Sequence, residues 1–476
     1  MSTLEQSAVV SRRFGIRQSS GEVVKIRLID DFTASNVNQT VQVENAPKLH
    51  TLDIVAALCM ELLRQHGDTE WMGKTIDLSS AYRQLGVSPR SRWVSYIAVY
   101  DPSTKSAKIY SMRALPFGAS RSVYSFLRVA HSLWWLGCVS LKFPWSSFFD
   151  DFITLCRKSE VPTMEIATKQ FFRLLGWLVS EGDKNLPFAS TFKALGVEID
   201  CSQWRSGLVL FRNTRKRIDE LKTTIEQAMK TGKLGPKSAL GLRGRMQFAK
   251  SQIWGRSAKL CLSAITAHAY SDRGESLTDH AIACLQAFVD SLVAARPREI
   301  TATWDKPMLL FTDASFNPDE SHWPCGLGGV LCDETGRQLA AISISLTGSD
   351  LKTLGYPLKS TVIFEAELLA LVLCVKLWRK MLRNRPCVMY VDNNGARDVA
   401  ISGSARTWPG SALVSALLKQ EDAACLTAWH ARVPSSSNIA DAPSRNSSQG
   451  ILVKFLSADL VRPHLNKLIG NLEHNG

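Results

Sequence analysis

The stretch that most constrains the fold is Phe148-Phe149-Asp150-Asp151-Phe152-Ile153, where two apolar runs meet at adjacent carboxylates. Apolar residues on both sides predict two strands joined by a tight turn, so the aspartates fall at or beside a hairpin turn and at least one projects from the sheet. Carboxylates this close repel each other, and in the ionised form they need water or a cation to offset them. A solvated Asp-Asp turn is the plain outcome, and a divalent ion is the functional one.

A third carboxylate upstream favours the ion. Asp77 ends Lys74-Thr75-Ile76-Asp77 and precedes Leu78-Ser79-Ser80-Ala81-Tyr82-Arg83-Gln84-Leu85, a strand predicted to turn into a helix with the carboxylate at its carboxyl end. Three carboxylates suit two divalent ions ~3.5–4 Å apart, the arrangement that activates an attacking 3′-oxygen and stabilises a leaving pyrophosphate.

A second set of acids follows the same logic. Met308 to Asp313 and Val388 to Asp392 are strands ending in Asp, and Asp441 opens a helix within Asn438-Ile439-Ala440-Asp441-Ala442-Pro443-Ser444-Arg445. A helix expected over Thr361 to Leu382 puts Ile363, Glu367, Leu371, Cys374 and Trp378 on one face, so Glu367 is the single charge on a packing surface and needs a partner. Glu365 is expected on another side, towards Lys376 and Arg379.

With 476 residues the chain has room for about three domains of ~150 each. Lys and Arg number 57 against 43 Asp and Glu, a formal charge of +14 that favours a polyanionic partner, nucleic acid being the usual one. The 11 cysteines are scattered with no Cys-x-x-Cys or Cys/His spacing, which argues against a disulfide framework or structural zinc and fits a reducing compartment. No signal-peptide core and no apolar run of membrane-spanning length is present, so an intracellular protein, cytoplasmic or nuclear, is expected, neither secreted nor membrane-bound.

Basic residues recur at places suited to phosphates. Lys25 and Arg27 share one face of a strand from Val23 to Asp31. Arg121 and Arg128 lie on a helix from about Ser120 to Leu136, where Trp134 and Trp135 are expected in the core. An amphipathic helix is expected from Thr163 to Ser180, with Lys184 in the polar loop beyond it. After a helix that stops at Gly232, the stretch Lys237 to Ile253 carries Lys237, Arg243, Arg245 and Lys250 among Gly241 and Gly244, a combination that lets a helix approach a phosphate backbone and neutralise it.

Asp77 with Tyr82, then Leu115-Pro116-Phe117-Gly118-Ala119-Ser120, then Phe148-Phe149-Asp150-Asp151 resemble, in order and spacing, the palm motifs of retroelement reverse transcriptases. Arg27-Leu28-Ile29-Asp30-Asp31-Phe32 with Asn36, Leu175-Gly176-Trp177 with Lys184, and Phe192 to Val197 extend the resemblance. Asp313, Glu367, Asp392 and Asp441, over about Leu309 to Arg445, resemble the four carboxylates of a ribonuclease H.

The resemblance implies a right-hand polymerase of mixed α/β and α+β domains, with fingers and palm over 1–204, a helical thumb or connection over 205–304, a ribonuclease H-like α/β domain over 305–450 and a tail over 451–476. It implies Mg2+, two per site and replaceable by Mn2+, bound by Asp77, Asp150 and Asp151 and by Asp313, Glu367, Asp392 and Asp441. It implies triphosphate contact by Arg27, a sugar-selecting aromatic at Tyr82, a segment under the nascent pair at Phe117 and Gly118, and a proton donor to pyrophosphate at Lys184. The partners implied are an RNA template, a DNA or RNA primer, RNA–DNA hybrids and deoxynucleoside triphosphates, in an element of long-terminal-repeat or DIRS-like type.

One departure stands out, since the loop Val433-Pro434-Ser435-Ser436-Ser437 has no histidine where family members often carry one, and His430 is the nearest. A decayed or domesticated copy that binds nucleic acid without catalysis would keep the charge and lose carboxylates, and all seven are present. A polymerase making RNA from RNA would have no use for the second acidic set.

Overall fold

The computed structural model describes residues 8–20, 23–42, 45–272, 274–294, 296–302 and 306–473. The chain is a mixed α/β multidomain protein that divides into two compact units, Met1–Phe211 with Glu299–Ala302, and Arg212–Arg298 with Thr303–Gly476. Among the described residues, no helix is long and apolar enough to cross a membrane.

The first unit begins with strands β1 (Val10–Ser20) and β2 (Val23–Asp30), followed by helix α1 (Leu52–His66) and strand β3 (Trp71–Asp77). Strands β4 (Tyr96–Asp101) and β5 (Ser106–Ser111) lead to helix α2 (Ser120–Leu141), then to the hairpin of β6 (Trp145–Phe148) and β7 (Asp151–Arg157) and to helix α3 (Val161–Leu174). Strands β8 (Thr191–Ala194), β9 (Val197–Asp200) and β10 (Leu208–Asn213) follow, and β11 (Arg298–Thr301) joins their edge.

Three sheets result, in the orders β2-β1-β4-β5, β3-β7-β6 and β11-β10-β9-β8. The middle sheet carries the acidic hairpin, and its β7 is buried through five consecutive residues, as a short apolar run in a central strand should be. Behind it Trp145, Phe152, Phe171 and Phe172 pack at tilted or edge-to-face angles with centroids 5.0–5.9 Å apart, geometry that adds to the area they bury.

In the second unit, α4 (Arg215–Thr231), α5 (Pro236–Lys250), α6 (Ala258–Ala269) and α7 (Asp279–Val293) close around Leu221, Ile225, Met246, Ile265, Leu285 and Phe288. Strands β12 (Met308–Phe316), β13 (Cys325–Cys332) and β14 (Gln338–Ser345) then form an antiparallel meander. Helices α8 (Gly348–Thr353), α9 (Ile363–Leu377) and α10 (Arg379–Leu382) precede β15 (Pro386–Val391), which pairs parallel with β12. Helices α11 (Asn394–Ser402) and α12 (Trp408–Ala423) lead to β16 (Thr427–Arg432), and α13 (Asp441–Ser444) and α14 (Ala458–Glu473) complete the unit. The sheet order is β14-β13-β12-β15-β16.

Several expectations change here. The stretch 451–476, expected to be a tail, contains α14, and its Val461, Leu465, Leu468, Ile469 and Leu472 belong to the core that α9 also fills. Glu365 does not face Lys376 and Arg379. It is 2% exposed and accepts hydrogen bonds from Lys359 Nζ at 2.7 Å and Thr407 Oγ1 at 3.0 Å, because α9 is buried all the way round from Glu365 to Val375 and has no solvent side there. Trp135 is 57% exposed rather than core, whereas Trp134 and Trp145 each donate an indole N–H to the other's carbonyl, at 2.9 and 3.0 Å. Helix α3 stops at Leu174 rather than Ser180, since Leu178 and Ser180 pair their backbones with Ser79 and Asp77.

Candidate active sites

Strands β3 and β7 lie antiparallel with Asp77 directly opposite Asp151, and the two-residue turn Phe149-Asp150 leads into Asp151. Phe149 has φ 52°, the positive value that primed hairpin turns require, and the Leu78 N–H donates to the Asp150 carbonyl at 3.1 Å. The three carboxyl groups thus collect at one end of the sheet. Burial, reinforced by Asp77's charge and opposed by Lys184, raises the Asp150 carboxyl above the usual carboxylate range. Burial again, with the charges of Asp150 and Asp77, pushes Asp151 up to about 6.

Asp77 Oδ2 accepts from the Ser180 hydroxyl and from Lys184 Nζ at 3.0 Å. Lys184 therefore stands at this site, with its ammonium on the first carboxylate. Ser180 left no sign in the sequence because it is expected as the last residue of a helix from Thr163, whereas that helix ends at Leu174.

Tyr82 lies in the short turn Ala81–Gln84 rather than on an α-helix. Its ring stacks on Phe126 at 4.8 Å and meets Phe117 edge-on at 5.9 Å, and burial together with the Asp150 charge raises its hydroxyl to about 12. Phe117 is 48% exposed. Gly118, at φ 105°, presses against the Asp30 carbonyl, where a Cβ would overlap, so a side chain here is excluded both by the backbone conformation and by space.

Asn38 fastens this loop, its Nδ2 donating to the Gly118 carbonyl at 3.1 Å and its Oδ1 accepting from the Ser120 N–H at 2.8 Å. Asn36, singled out from sequence, instead takes φ 61° and starts a turn. Asp30 is buried and paired with Arg13 at 2.6 Å. Lys25 and Arg27 lie on β2, but their side chains fall outside the described residues. Arg121 and Arg128 are exposed on α2.

Behind the hairpin, His50 stacks on His131 at 5.0 Å and accepts from the Ser147 N–H at 3.4 Å. Burial holds both imidazoles below the ordinary 6.5, and His131 lowers His50 further. The unfolded chain binds more protons there than the folded one as pH falls through 6.5, so stability should decline on acidification in that window. A melting temperature followed from pH 7.5 to 5.5 should fall less in His131→Phe than in the wild type, and parallel falls would remove this pair as the cause.

In the second unit, Asp313, Glu367 and Asp392 bring one carboxylate oxygen each within 4.8 Å of one another. Strand β12, helix α9 and the end of β15 deliver them. Glu367 is pushed up to about 10, by burial first and then by Asp313 and Asp392, and its buried Oε2 has no hydrogen-bond partner. Asp313 is pushed up to about 6 by burial, with Ser444 opposing. An orphaned buried oxygen among three hard oxygen donors fits a divalent cation such as Mg2+ or Mn2+. Asp441 stands beside this set and is ion-paired with Arg445 at 3.1 Å.

Two side chains missed from sequence position Asp313. Ser444 Oγ donates to its Oδ2 at 2.6 Å, and Asn438 Nδ2 to its Oδ1 at 3.2 Å. Both lie in the segment around Asp441, and nothing local marks them as reaching back to β12. The segment reaches the sheet because β13 is glycine-rich: a Cβ at Gly328 would overlap the Ala440 carbonyl, and one at Gly326 the Ser444 carbonyl. Gly328→Val should push the segment off the sheet, release Asp313 and lower the melting temperature by several degrees. An unchanged melting temperature would show that this close packing is dispensable.

His430 is remote from that chemistry in role. It is buried and bonded to Glu421 at 2.9 Å and to Arg256 at 3.1 Å.

Among the basic residues, Arg243 Nε donates to Thr266 Oγ1 at 2.7 Å and Arg245 reaches Thr224 at 3.5 Å, while Lys237 is exposed. Arg243, Gln247, Lys250, Lys259 and Thr266 line an open groove of about 950 Å³ along α5 and α6. Burial, then the charges of Lys259 and Arg256, lowers the Lys250 ammonium, with Asp422 opposing. Cations crowded in this way favour an anionic occupant.

No family model matches the chain, and no curated protein matches it. Among solved structures it is similar to the foamy viral protease-reverse transcriptase dRH in complex with double-stranded DNA, at 17% identity and a TM-score of 0.48, covering 90% of this chain and 66% of that one. It is also similar to the foamy viral protease-reverse transcriptase in complex with RNA/DNA hybrid, at 18% identity and a TM-score of 0.47, covering 91% of this chain and 52% of that one.

Proposed function

We propose that the chain is a retroelement-type RNA-directed DNA polymerase that also cleaves the RNA strand of RNA–DNA hybrids. The observation that carries the reading is the pairing of Asp77 with Asp151 across β3 and β7, with Asp150 in the adjoining turn, in a chain whose second unit holds a separate acidic set. In this reading residues 1–204 act as fingers and palm, 205–304 as thumb or connection, and 305–450 as the nuclease. An RNA template, a primer and deoxynucleoside triphosphates are the substrates.

Bound divalent ions would supply nucleophile activation and leaving-group stabilisation at both sites. Asp77, Asp150 and Asp151 would hold them in the first, and Asp313, Glu367, Asp392 and Asp441 in the second. Lys184 keeps an ammonium on Asp77, where it can pass a proton to a departing pyrophosphate. Ser444 and Asn438 fix the direction of the Asp313 carboxylate. The basic groove along α5 and α6 neutralises phosphates of the duplex.

Tyr82 closes the floor of the nucleotide site and leaves no room for a 2′-hydroxyl, a selection made by steric rejection. Tyr82→Ala should raise ribonucleotide incorporation relative to deoxynucleotide by ~10-fold or more while lowering the melting temperature through lost contact with Phe126. A lowered melting temperature with an unaltered ribo-to-deoxy ratio would make Tyr82 a packing residue only. The reading as a whole is tested by extension of a DNA primer on an RNA template with Mg2+ and deoxynucleotides. Elongation is expected, and a folded protein that binds the template without extending the primer would favour a non-catalytic nucleic-acid binder.

A further inference from the structure

Gln84 follows the strand that ends in Asp77, and its side chain is bonded to backbone on two separate segments. Nε2 donates to the Ser79 carbonyl at 2.7 Å and to the Leu178 carbonyl at 2.9 Å, and Oε1 accepts from the Leu178 N–H at 2.7 Å. Ser80 brings the amide to this place. At φ 52° it takes left-handed backbone and reverses the chain after β3, so that the short turn Ala81–Gln84 returns Gln84 to the side of Ser79.

The segment that Gln84 grips carries the donors of Asp77. Residues 177–180 run antiparallel to 77–79, with the Ser79 N–H on the Leu178 carbonyl at 2.9 Å and the Ser180 N–H on the Asp77 carbonyl at 2.8 Å. Gln84 extends this pairing by one rung, since its amide offers Leu178 a donor and an acceptor as a neighbouring strand would. Trp177 and Val179 pack against the core of Phe126 and Phe172, whereas Leu178 is 67% exposed, so water competes for its backbone once the amide is removed. Two residues on, the Ser180 hydroxyl donates to Asp77 Oδ2, and Lys184 Nζ reaches the same oxygen at 3.0 Å. Lys184 is a long, exposed side chain in the short turn Gly182–Lys184, and its aim depends on where the chain leaves Ser180.

We propose that Gln84 is a positioning residue for DNA synthesis, clamping residues 177–180 to the end of β3 and so holding the Ser180 hydroxyl and the Lys184 ammonium on Asp77. The proposal rests on the polymerase reading of that site. Gln84 acts only through these two donors, and a displacement of about 1 Å in groups of this kind is enough to slow a reaction strongly.

The test compares the wild type with Gln84→Met, a side chain of similar volume with neither an N–H donor nor a carbonyl acceptor. Hydrogen exchange followed by mass spectrometry reads the clamp itself: peptides covering 177–184 should exchange faster in the variant, with those of the second unit unchanged. Primer extension reads its purpose: kcat should fall ~10-fold or more while KM for the deoxynucleotide stays within about twofold. In a Lys184→Ala background, Gln84→Met should cause no further loss, because residues that act as a unit are not additive. A change that only weakened the fold would add its loss to that of Lys184→Ala. Gln84→Glu keeps the acceptor for the Leu178 N–H but sets an oxygen against both carbonyls, and it should fall as far as Gln84→Met, which decides the matter should the methionine variant not fold. Unchanged exchange, faster exchange with kcat unchanged, or additive losses would overturn the proposal while leaving the polymerase reading intact. A folded wild type that extends no primer would instead remove that reading and the proposal with it.

Discussion

Asp150→Asn is expected to abolish primer extension and leave hybrid cleavage intact. Asp150 sits in the hairpin turn, near enough to Asp77 for that charge to raise it and near enough to Tyr82 to raise the phenol. The amide keeps the shape and removes one negative ligand, which forfeits several kcal/mol of transition-state stabilisation. At about 1.36 kcal/mol per decade, that is at least ~10²-fold in rate. Folding should survive, because a carboxyl held partly desolvated loses little when made neutral. Since the acids of the nuclease reading belong to the other unit, equal loss of both activities in a folded Asp150→Asn protein would contradict the two-site account.

Glu367→Gln is expected to do the converse: cleavage of the RNA strand should fall at least ~10²-fold while extension continues. This carboxyl is the more telling one, because its environment opposes its charge so strongly. Its buried Oε2 lacks any hydrogen-bond partner, and Asp313 and Asp392 crowd it. A carboxyl raised to about 10 destabilises the fold at pH 7 compared with a group of ordinary pKa, since the unfolded chain would release the proton that the folded chain keeps. Replacing it by a neutral isostere should therefore leave the melting temperature of the metal-free protein unchanged or higher. In the wild type, Mg2+ should raise the melting temperature, and in Glu367→Gln it should raise it less. A strongly lowered melting temperature with cleavage retained would make Glu367 a structural residue.

The strand-end acids were legible in the sequence because each terminates an apolar run, and a run of that kind has few places to go except a buried strand. Asp77 and Asp392 fall at or just past a strand end as alternation and position suggested, whereas Asp313 lies inside β12, which runs on to Phe316 because Ala314, Ser315 and Phe316 keep pairing with β13; Glu367 was legible from the 3.6-residue period of its helix. The same period misplaced Glu365, because a helix buried all the way round offers no polar face for the pattern to point to. Residues that act across the chain left no local sign. Ser180 on Asp77, Ser444 and Asn438 on Asp313, and Asn38 under Gly118 are ordinary polar residues until the fold brings them to their partners.

The most direct measurement uses one labelled hybrid, an RNA template annealed to a shorter DNA primer with a different dye on each strand. Both strands are followed in the same reaction after adding deoxynucleotides and Mg2+. The account predicts that the DNA strand lengthens and the RNA strand is cut, that both stop on chelation, and that Asp150→Asn and Glu367→Gln each remove one product and spare the other. A folded wild-type protein that retains the hybrid and changes neither strand would contradict it.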